Sequence, residues 1–474
     1  MKRPAFSVAL ATGLLLLALL AIAAWLFSLQ PAALRWRDPG DARWRAAIAA
    51  LLIYALFFGL LQWRRVRRRQ QQTAQAGEAL LVIHSSQTGH AEQIALQTVQ
   101  ALQATGVPAR PVALETLDAA TLSEARRALF IASTTGEGDP PDGALRFIRH
   151  VMTEAPELGE LQYGLLALGD REYRQFCAWG RRLDGWLQEQ GATPLFERID
   201  VDNADAAALA LWRSRLGVAQ WQEPEYQPWR LIERRQLNVG SVGAPCFHVA
   251  LAPLAGNASW QAGDVIAVQL PGDPPVLRDY SIASLPADGS VHLLIRQTRR
   301  ADGSLGVGSG WLTQHGTIGS TLPALLRSNN SFHPPEDARP VILIGNGTGL
   351  AGLRALLKAR IAGGHYDNWL IFGERNAEHD FYYRDELLAW HDAGSLKQLD
   401  LVFSRDGDRH EYVQDRLGAR ADELRGWVSR GAAIYVCGSA QGMATGVDQA
   451  LHAALGDAAV ESLREAGRYR RDVY

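Results

Sequence analysis

Residues 79–91 read ALLVIHSSQTGHA, an apolar run that breaks into a hydroxyl-rich turn. The run 79–84 has the length of a buried strand, and a helix is predicted over Ala91–Leu102. A strand, a Ser/Thr/Gly turn and a helix can together hold a phosphate, because the first N–H groups of a helix are unpaired. Taken alone, an ordinary βα turn with a helix cap is the commoner explanation.

Two later segments repeat this pattern of a strand followed by a polar loop. Ala128–Ser133 runs into the loop Thr134–Pro141, and Leu165–Leu168 runs into the loop Gly169–Cys177. Alternating strands and helices predict a doubly wound parallel sheet, whose ligand lies at the carboxyl ends of the strands. All three loops leave such ends, so the sequence predicts one α/β domain with a phosphate-containing ligand.

The segment 231–302 is rich in short β-like runs and predicts a small antiparallel β-barrel. Its string Arg278-Asp279-Tyr280-Ser281 combines an arginine, which suits a pyrophosphate, with a tyrosine, which suits a flavin ring. A glycine-rich turn at 306–312 leads into a helix and offers a second place for a phosphate.

Beyond the barrel, βα units return and predict a second α/β domain. The strand Val341–Gly345 opens into a glycine-rich turn, which alone is a weak signal for a dinucleotide. Ser404 and Arg405 follow the strand Leu399–Phe403. An arginine in this place is what a ribose 2′-phosphate requires, so the sequence favours NADP over NAD.

Length, charge and cysteine count limit the classes of protein to consider. The 474 residues suffice for two or three domains, and a net charge of −2 gives no indication of a nucleic-acid partner. Cys177, Cys246 and Cys437 are widely spaced, so neither a disulfide framework nor a metal site is predicted. Three unpaired cysteines fit a reducing compartment.

Residues 1–69 predict a membrane anchor. Residues 5–29 and 46–63 contain no charged side chain, and each run is close to the length that crosses a bilayer as a helix. More lysines and arginines flank the outer ends of this hairpin than its turn, which favours both termini in the cytoplasm. We therefore expect a multi-pass protein of a bacterial-type inner membrane with cytoplasmic soluble domains. A cleaved signal peptide is the disfavoured alternative.

The same segment limits where electrons can travel. The two predicted helices contain no histidine, so they are not expected to hold a bis-histidine haem. Residues 70–78 predict a flexible polar linker to the soluble domains.

Several strings resemble the diflavin reductases, the family of sulfite reductase flavoprotein and NADPH–cytochrome P450 reductase. SSQTGHAE, STTGEGDPP and LGDREYRQFC are similar to the three FMN loops of that family in order and spacing. RDYS, GVGS, GNGTG, YVQ, YVCG and the ending RYRRDVY are similar to its ferredoxin–NADP reductase module. The resemblance covers about residues 79–474. It implies a flavodoxin-like FMN domain over 79–220, an FAD-binding barrel over 225–335 and an NADP-binding domain over 336–474.

The resemblance also implies the residues of each site. In the FMN site Tyr173 would stack on the flavin ring, and in the FAD site Tyr474 would cover the ring where nicotinamide docks. The FMN residues would be Ser86, Gln87, Thr88, Gly89, His90, Ala91, Ser133, Thr134, Thr135, Gly136, Leu168, Gly169, Asp170, Tyr173, Phe176 and Cys177. The FAD residues would be Arg278, Asp279, Tyr280, Ser281, Leu294, Ile295, Arg296, Gly306, Val307, Gly308, Ser309 and Tyr474.

The family implies an NADP site and a hydride-transfer centre as well. The NADP residues would be Gly347, Thr348, Ser404, Arg405, His410, Tyr412, Gln414 and Cys437. The catalytic residues would be Ser281, Cys437, Asp472 and Tyr474. His410 replaces a lysine and Ser439 an acidic residue of the family pattern, which leaves open how strict NADPH is over NADH. Only about sixty residues precede Arg278 after the FMN domain, too few for the family's helical connecting domain.

Three functions follow as hypotheses. The leading one is an NADPH-dependent reductase that passes electrons from NADPH to FAD, to FMN and then to a haemoprotein or another one-electron acceptor. A second is a ferric-chelate or siderophore reductase at the inner membrane. A third is a flavin-binding redox sensor without turnover, against which the set of Cys437, Asp472 and Tyr474 argues.

Overall fold

In this computed structural model, three β-sheets follow one another along the described part of the chain. The structure describes residues 79–474 except 136–137, 172–173, 203–204, 255, 257, 273–274, 301 and 408–410. The first and third sheets are parallel, and the second, between them in sequence, is antiparallel.

The first sheet is the predicted doubly wound one. Its strands are β1 (Leu80–Ser85), β2 (Ala109–Ala113), β3 (Arg127–Ser133), β4 (Gln162–Gly169), β5 (Thr193–Pro194) and β6 (Ile199–Asp202). Its helices are α1 (His90–Ala104), α2 (Ala119–Glu124), α3 (Ala144–Glu154), α4 (Ala178–Glu189) and α5 (Ala206–Leu216). The order is β2-β1-β3-β4-β5, with β6 also paired to β4. Separate apolar cores cover the two faces, one with α3 and α4 and the other with α1 and α5, which confirms the prediction.

The second sheet is antiparallel throughout, as the turn-rich sequence predicts. Its strands are β7 (Gln227–Gln236), β8 (Cys246–Pro253), β9 (Val265–Leu270), β10 (Val276–Ser281), β11 (Val291–Arg296) and β12 (Thr321–Arg327), in the order β10-β9-β12-β7-β8-β11. The short helix α6 (Val307–Gly310) packs on β10. One apolar core, which includes Trp229, Ile266 and Leu293, lies against this sheet.

The third sheet is parallel and carries the C-terminus. Its strands are β13 (Val341–Asn346), β14 (Asn368–Glu374), β15 (Gln398–Phe403), β16 (Ala433–Gly438) and β17 (Tyr469–Val473). Its helices are α7 (Leu350–Ala362), α8 (Arg384–Asp392), α9 (Val413–Ala419), α10 (Ala421–Ser429), α11 (Thr445–Leu455) and α12 (Asp457–Glu465). The order β15-β14-β13-β16-β17 reverses direction at β13 and β16, where open α/β sheets bind their ligands.

The connection between the first two sheets is short. In the described residues between Leu216 and Val276, which omit 255, 257 and 273–274, the structure has strands β7, β8 and β9 and no helix. A helical connecting domain therefore does not interrupt this part of the chain.

The predicted membrane location needs correction. In the portion of the chain that the structure describes, no helix combines the length and the apolar character that a bilayer crossing requires. The predicted hairpin, residues 5–29 and 46–63, lies outside the described residues, as does the linker 70–78. The localisation as a multi-pass inner-membrane protein is wrong on this finding, and we assign no location.

Candidate active site

The first predicted FMN loop connects β1 to α1 at the carboxyl edge of the first sheet. The Ala91 backbone N–H donates to Ser86 Oγ over 3.2 Å, which holds the loop against the start of the helix. Gly89 has φ +77°, a left-handed conformation that glycine adopts without strain. The loop thus turns sharply and leaves the first N–H groups of α1 at its end, the geometry that suits a phosphate.

Two buried polar atoms in the FMN loops have no hydrogen-bond partner within the described residues. They are His90 Nε2 in the first loop and Thr134 Oγ1 in the second. A buried donor or acceptor is normally satisfied, so an unpaired one indicates a missing group. Both atoms lie in loops predicted to hold FMN, and the residues therefore fit that cofactor.

The third predicted loop is tightly packed where β4 ends. A side chain at Gly169 would place its Cβ 2.8 Å from the Cys177 backbone nitrogen and 3.1 Å from the Phe176 ring. The Cys177 thiol donates to the Ala167 carbonyl, and burial raises its pKa to about 12. Cys177 is therefore a small core residue that supports the loop. Gly136 and Tyr173, two other predicted FMN residues, lie outside the described residues.

Strand β10 and helix α6 meet as predicted for an FAD site. A Cβ at Gly308 would lie 2.8 Å from the Tyr280 hydroxyl and 2.9 Å from Arg278 Cγ, so only glycine allows this approach. The Ser309 hydroxyl accepts from the Thr298 N–H over 3.0 Å and thereby fixes the turn. Leu294 and Ile295 are buried in strand β11.

Two predicted FAD residues are held by other charged groups. Asp279 forms an ion pair with Arg327 at the end of β12. Arg296 forms an ion pair with Glu374, whose Oε1 also accepts from the Tyr382 hydroxyl over 3.1 Å. Arg296 and Glu374 both line the cavity next to Gly347, so Arg296 lies on the side of the predicted NADP residues.

The predicted catalytic residues meet where the second and third sheets join. The Ser281 hydroxyl donates to Asp472 Oδ2 over 2.7 Å, and the Cys437 thiol donates to the same oxygen over 3.7 Å. Strand pairing sets Cys437 directly beside Asp472. Burial raises the pKa of both the Asp472 carboxyl and the Cys437 thiol, so the thiol stays protonated. Ser281 and Asp472 come together although 191 positions separate them in the chain.

A cavity of about 890 Å³ opens at the carboxyl edge of the third sheet. Its lining includes predicted NADP residues from three loops: Gly347, Thr348, Ser404, Arg405, Tyr412 and Gln414. Gln414 Oε1 is buried without a partner in the described part of the chain, and Arg405 supplies a cation. The residues fit a nucleotide with a ribose phosphate. His410 lies outside the described residues.

Tyr474 ends the chain at the rim of this cavity. Its backbone N–H donates to the Gly438 carbonyl over 3.1 Å, and its own carbonyl accepts from the Ala440 N–H over 2.9 Å. Its side chain is 48% exposed and reaches the Thr348 hydroxyl over 3.3 Å. The backbone is thus fixed by two hydrogen bonds, whereas the hydrogen bond of the ring hydroxyl is long and weak.

No motif predicts the contact between the first loop and the C-terminal strand. The Arg471 side chain donates through Nε to Asp142 Oδ1 over 3.0 Å, and its backbone N–H donates to Oδ2 over 3.1 Å. Gln87 accepts from the Asp142 N–H and donates to the Arg471 carbonyl. A cavity of about 790 Å³, lined in part by Thr135 and Val473, lies at this junction.

Comparisons with known proteins agree with this geometry. The model of the flavodoxin family matches residues 82–212, and that of the oxidoreductase NAD-binding domain matches residues 343–449. The chain is 27% identical to a sulfite reductase [NADPH] flavoprotein alpha-component of Vibrio vulnificus, over 83% of this chain and 87% of the relative. The protein of the same name from Neisseria meningitidis is 26% identical, over 84% and 89%.

The chain resembles the diflavin reductases both in its two matched domains and in these relatives. It is an NADPH-dependent oxidoreductase whose cofactors are FMN, FAD and NADPH. The alignment with the Vibrio vulnificus relative extends over 537 positions, whereas 83% of 474 residues is about 390. Roughly 140 aligned positions therefore hold no residue of this chain, in keeping with its short connection between the first two sheets.

Proposed function

We propose that this diflavin reductase passes electrons from NADPH through FAD and FMN to a haemoprotein. Residues 79–220 would bind FMN, residues 225–335 FAD and residues 336–474 NADPH. The observation that carries the proposal is the contact of Ser281, Cys437 and Asp472 at the junction of the FAD and NADP units. The bound cofactors supply the redox chemistry, in which two electrons arrive together from NADPH and leave singly.

The chain's own residues orient the reactants. Asp472 accepts hydrogen bonds from Ser281 and Cys437, so the three side chains hold one another in a fixed arrangement. Tyr474 would exclude water from the flavin face until its ring turns aside. The two loops around Gly347 and Ser404, which line the cavity, would bind the nucleotide. The redox-sensor hypothesis is set aside, since the chain is an oxidoreductase.

The acceptor is proposed from the relatives. Their name states that each is the flavoprotein alpha-component of an NADPH sulfite reductase. A component of this kind delivers electrons to another protein, and we infer a haemoprotein partner for this chain. Purified enzyme should therefore oxidise NADPH with cytochrome c or a sulfite reductase haemoprotein as acceptor. Faster turnover with ferric chelates, in the absence of any protein acceptor, would favour the ferric-chelate reductase and contradict the proposal.

Arg405 should determine the preference for NADPH over NADH. Arg405 lines the nucleotide cavity, where its guanidinium can bind a 2′-phosphate through charge-assisted hydrogen bonds. Replacing Arg405 with alanine should raise KM for NADPH by about 10- to 100-fold, because such bonds contribute about 1.5–3 kcal/mol. KM for NADH should change little. Steady-state kinetics with both nucleotides tests this, and an equal rise in both values would contradict the assignment.

The Asp142–Arg471 ion pair should support electron transfer from FAD to FMN. Replacing Asp142 with asparagine removes a charge that faces a partly buried guanidinium. We expect cytochrome c reduction to fall several-fold, whereas ferricyanide reduction, which FAD supports directly, should stay unchanged. Exchange of the two charges in D142R/R471D should restore part of the loss. Unchanged cytochrome c reduction in the single variant would show that the pair has no such role.

A further inference from the structure

The first FMN loop touches the FAD and NADP units with three of its residues, Gln87, Gly89 and His90. Besides the bonds to Arg471, the Gln87 carbonyl accepts from the Ser331 hydroxyl over 2.9 Å. Gly89 is so close to the second unit that a Cβ there would lie 2.3 Å from the Ser328 carbonyl oxygen. His90 receives a hydrogen bond from Arg327 over 2.7 Å. The loop predicted to hold the FMN phosphate is therefore also a contact surface toward the rest of the reductase.

The bond between Arg327 and His90 fixes the tautomer of the imidazole. A guanidinium has only donors, so Arg327 Nη1 must donate and His90 Nδ1 must accept. Burial, and after it the Arg327 charge, lowers the pKa of His90 to about 4, so the ring is neutral at physiological pH. The single ring proton is then on Nε2.

His90 Nε2 is one of the buried polar atoms that have no hydrogen-bond partner in the described part of the structure. A buried N–H without an acceptor is costly, and native structures rarely retain one. The phosphate of FMN offers acceptor oxygens, and it is predicted to bind in this loop. A neutral imidazole that donates from Nε2 fits such an acceptor.

Arg327 can hold the His90 ring in place because burial and an ion pair restrain its own side chain. The residue is 7% exposed, at the end of strand β12, and its guanidinium is paired with Asp279 on strand β10. Arg327 and Asp279 are the charged groups that act on the His90 ring. The Arg327 and Asp279 charges also act on Tyr226, a half-buried neighbour, together with Glu223.

We propose that Arg327 of the FAD unit is a positioning residue of the FMN site, holding His90 in the tautomer whose Nε2–H donates to the FMN phosphate. Binding of FMN and contact between the two units are then coupled, and each strengthens the other by the same factor. The inference rests on the proposed FMN site.

The test is FMN affinity in full-length protein that has been depleted of FMN and retains FAD. Titration is followed by the quenching of FMN fluorescence. Arg327→Met should weaken FMN binding by roughly tenfold, the size expected for loss of a hydrogen bond to a charged group. Arg327→Lys keeps a donor and should stay within about twofold of the parent. Bound FAD reports folding of each variant, and Arg327→Leu, which also lacks a donor, replaces R327M if that protein does not fold.

A second set of variants, made in protein that carries His90→Asn, distinguishes a positioning role of Arg327 from a merely structural one. In His90→Asn the amide supplies an N–H donor that needs no tautomer, so adding R327M should cause no further loss. An equal loss in both backgrounds, or no loss in the parent, would overturn the proposal. Ser86→Ala tests the FMN site itself. If S86A weakens FMN binding and R327M does not, only the inference fails; if S86A also has no effect, the proposed FMN site fails with it.

Discussion

Replacing Asp472 with asparagine should slow the reduction of FAD by NADPH about 100-fold, the cost of a misaligned reacting pair. The Asp472 carboxylate accepts hydrogen bonds from the Ser281 hydroxyl and the Cys437 thiol, and only 4% of the residue is exposed. Asparagine removes the negative charge of this group, and where its NH2 group takes the place of Oδ2 both the hydroxyl and the thiol lose their acceptor. Stopped-flow absorbance of the flavin under anaerobic conditions measures the rate directly.

Asp448 provides a matched control for this variant. Asp448, in helix α11, accepts a hydrogen bond from the Tyr469 hydroxyl over 2.9 Å. Tyr469 lies on the same C-terminal strand as Asp472, and this bond does not involve Ser281 or Cys437. Asp448→Asn should leave flavin reduction within about twofold of the parent rate. Parent-like reduction in D472N, with FAD fully bound, would contradict the assigned role of Asp472.

Replacing Tyr173 with alanine should abolish FMN-dependent reactions and spare those that FAD supports alone. Tyr173 lies outside the described residues, and the prediction rests on its motif LGDREYRQFC, whose flanking residues Gly169 and Cys177 shape the third loop. Loss of an aromatic ring that stacks on the flavin should cost about 1–3 kcal/mol of FMN affinity. At limiting FMN, cytochrome c reduction should therefore fall by about 5- to 150-fold, while ferricyanide reduction persists.

Tyr366 is a suitable control because it is a tyrosine of the NADP unit with half of its surface exposed. Tyr366→Ala should change neither reaction, since the side chain takes no part in the proposed sites. Added FMN should restore part of the cytochrome c activity of the Tyr173 variant. Equal loss of both activities in that variant would contradict the division of labour between the two flavins.

The strands and the order of the sheets could be predicted because each signal is local. The strand predicted at 79–84 is strand β1 shifted by one residue, since β1 is Leu80–Ser85. The strand predicted at 341–345 lacks only the last residue of strand β13, Val341–Asn346. An apolar run of this length next to a glycine-rich turn has few alternatives. The contact of Ser281, Cys437 and Asp472 could also be predicted, because the motifs that resemble the family imply it. The structure places the three side chains in contact.

Contacts between distant charged residues could not be predicted from the sequence. Arg327, Arg471 and Asp142 are three charges among many, and nothing near them in the chain distinguishes them. Their partners follow from how the units pack, which periodicity and motifs do not report. Asp279 shows the same limit, since its string predicts a flavin contact and the structure pairs it with Arg327.

Flavin content is the most direct measurement of the central claim, that one polypeptide holds two isoalloxazine rings and reduces only one of them with NADPH. Flavins released by denaturing the purified protein, separated and quantified, should give one FMN and one FAD for each chain. A preparation with a single flavin per chain, which could not be reconstituted with the second, would contradict the proposed path of electrons.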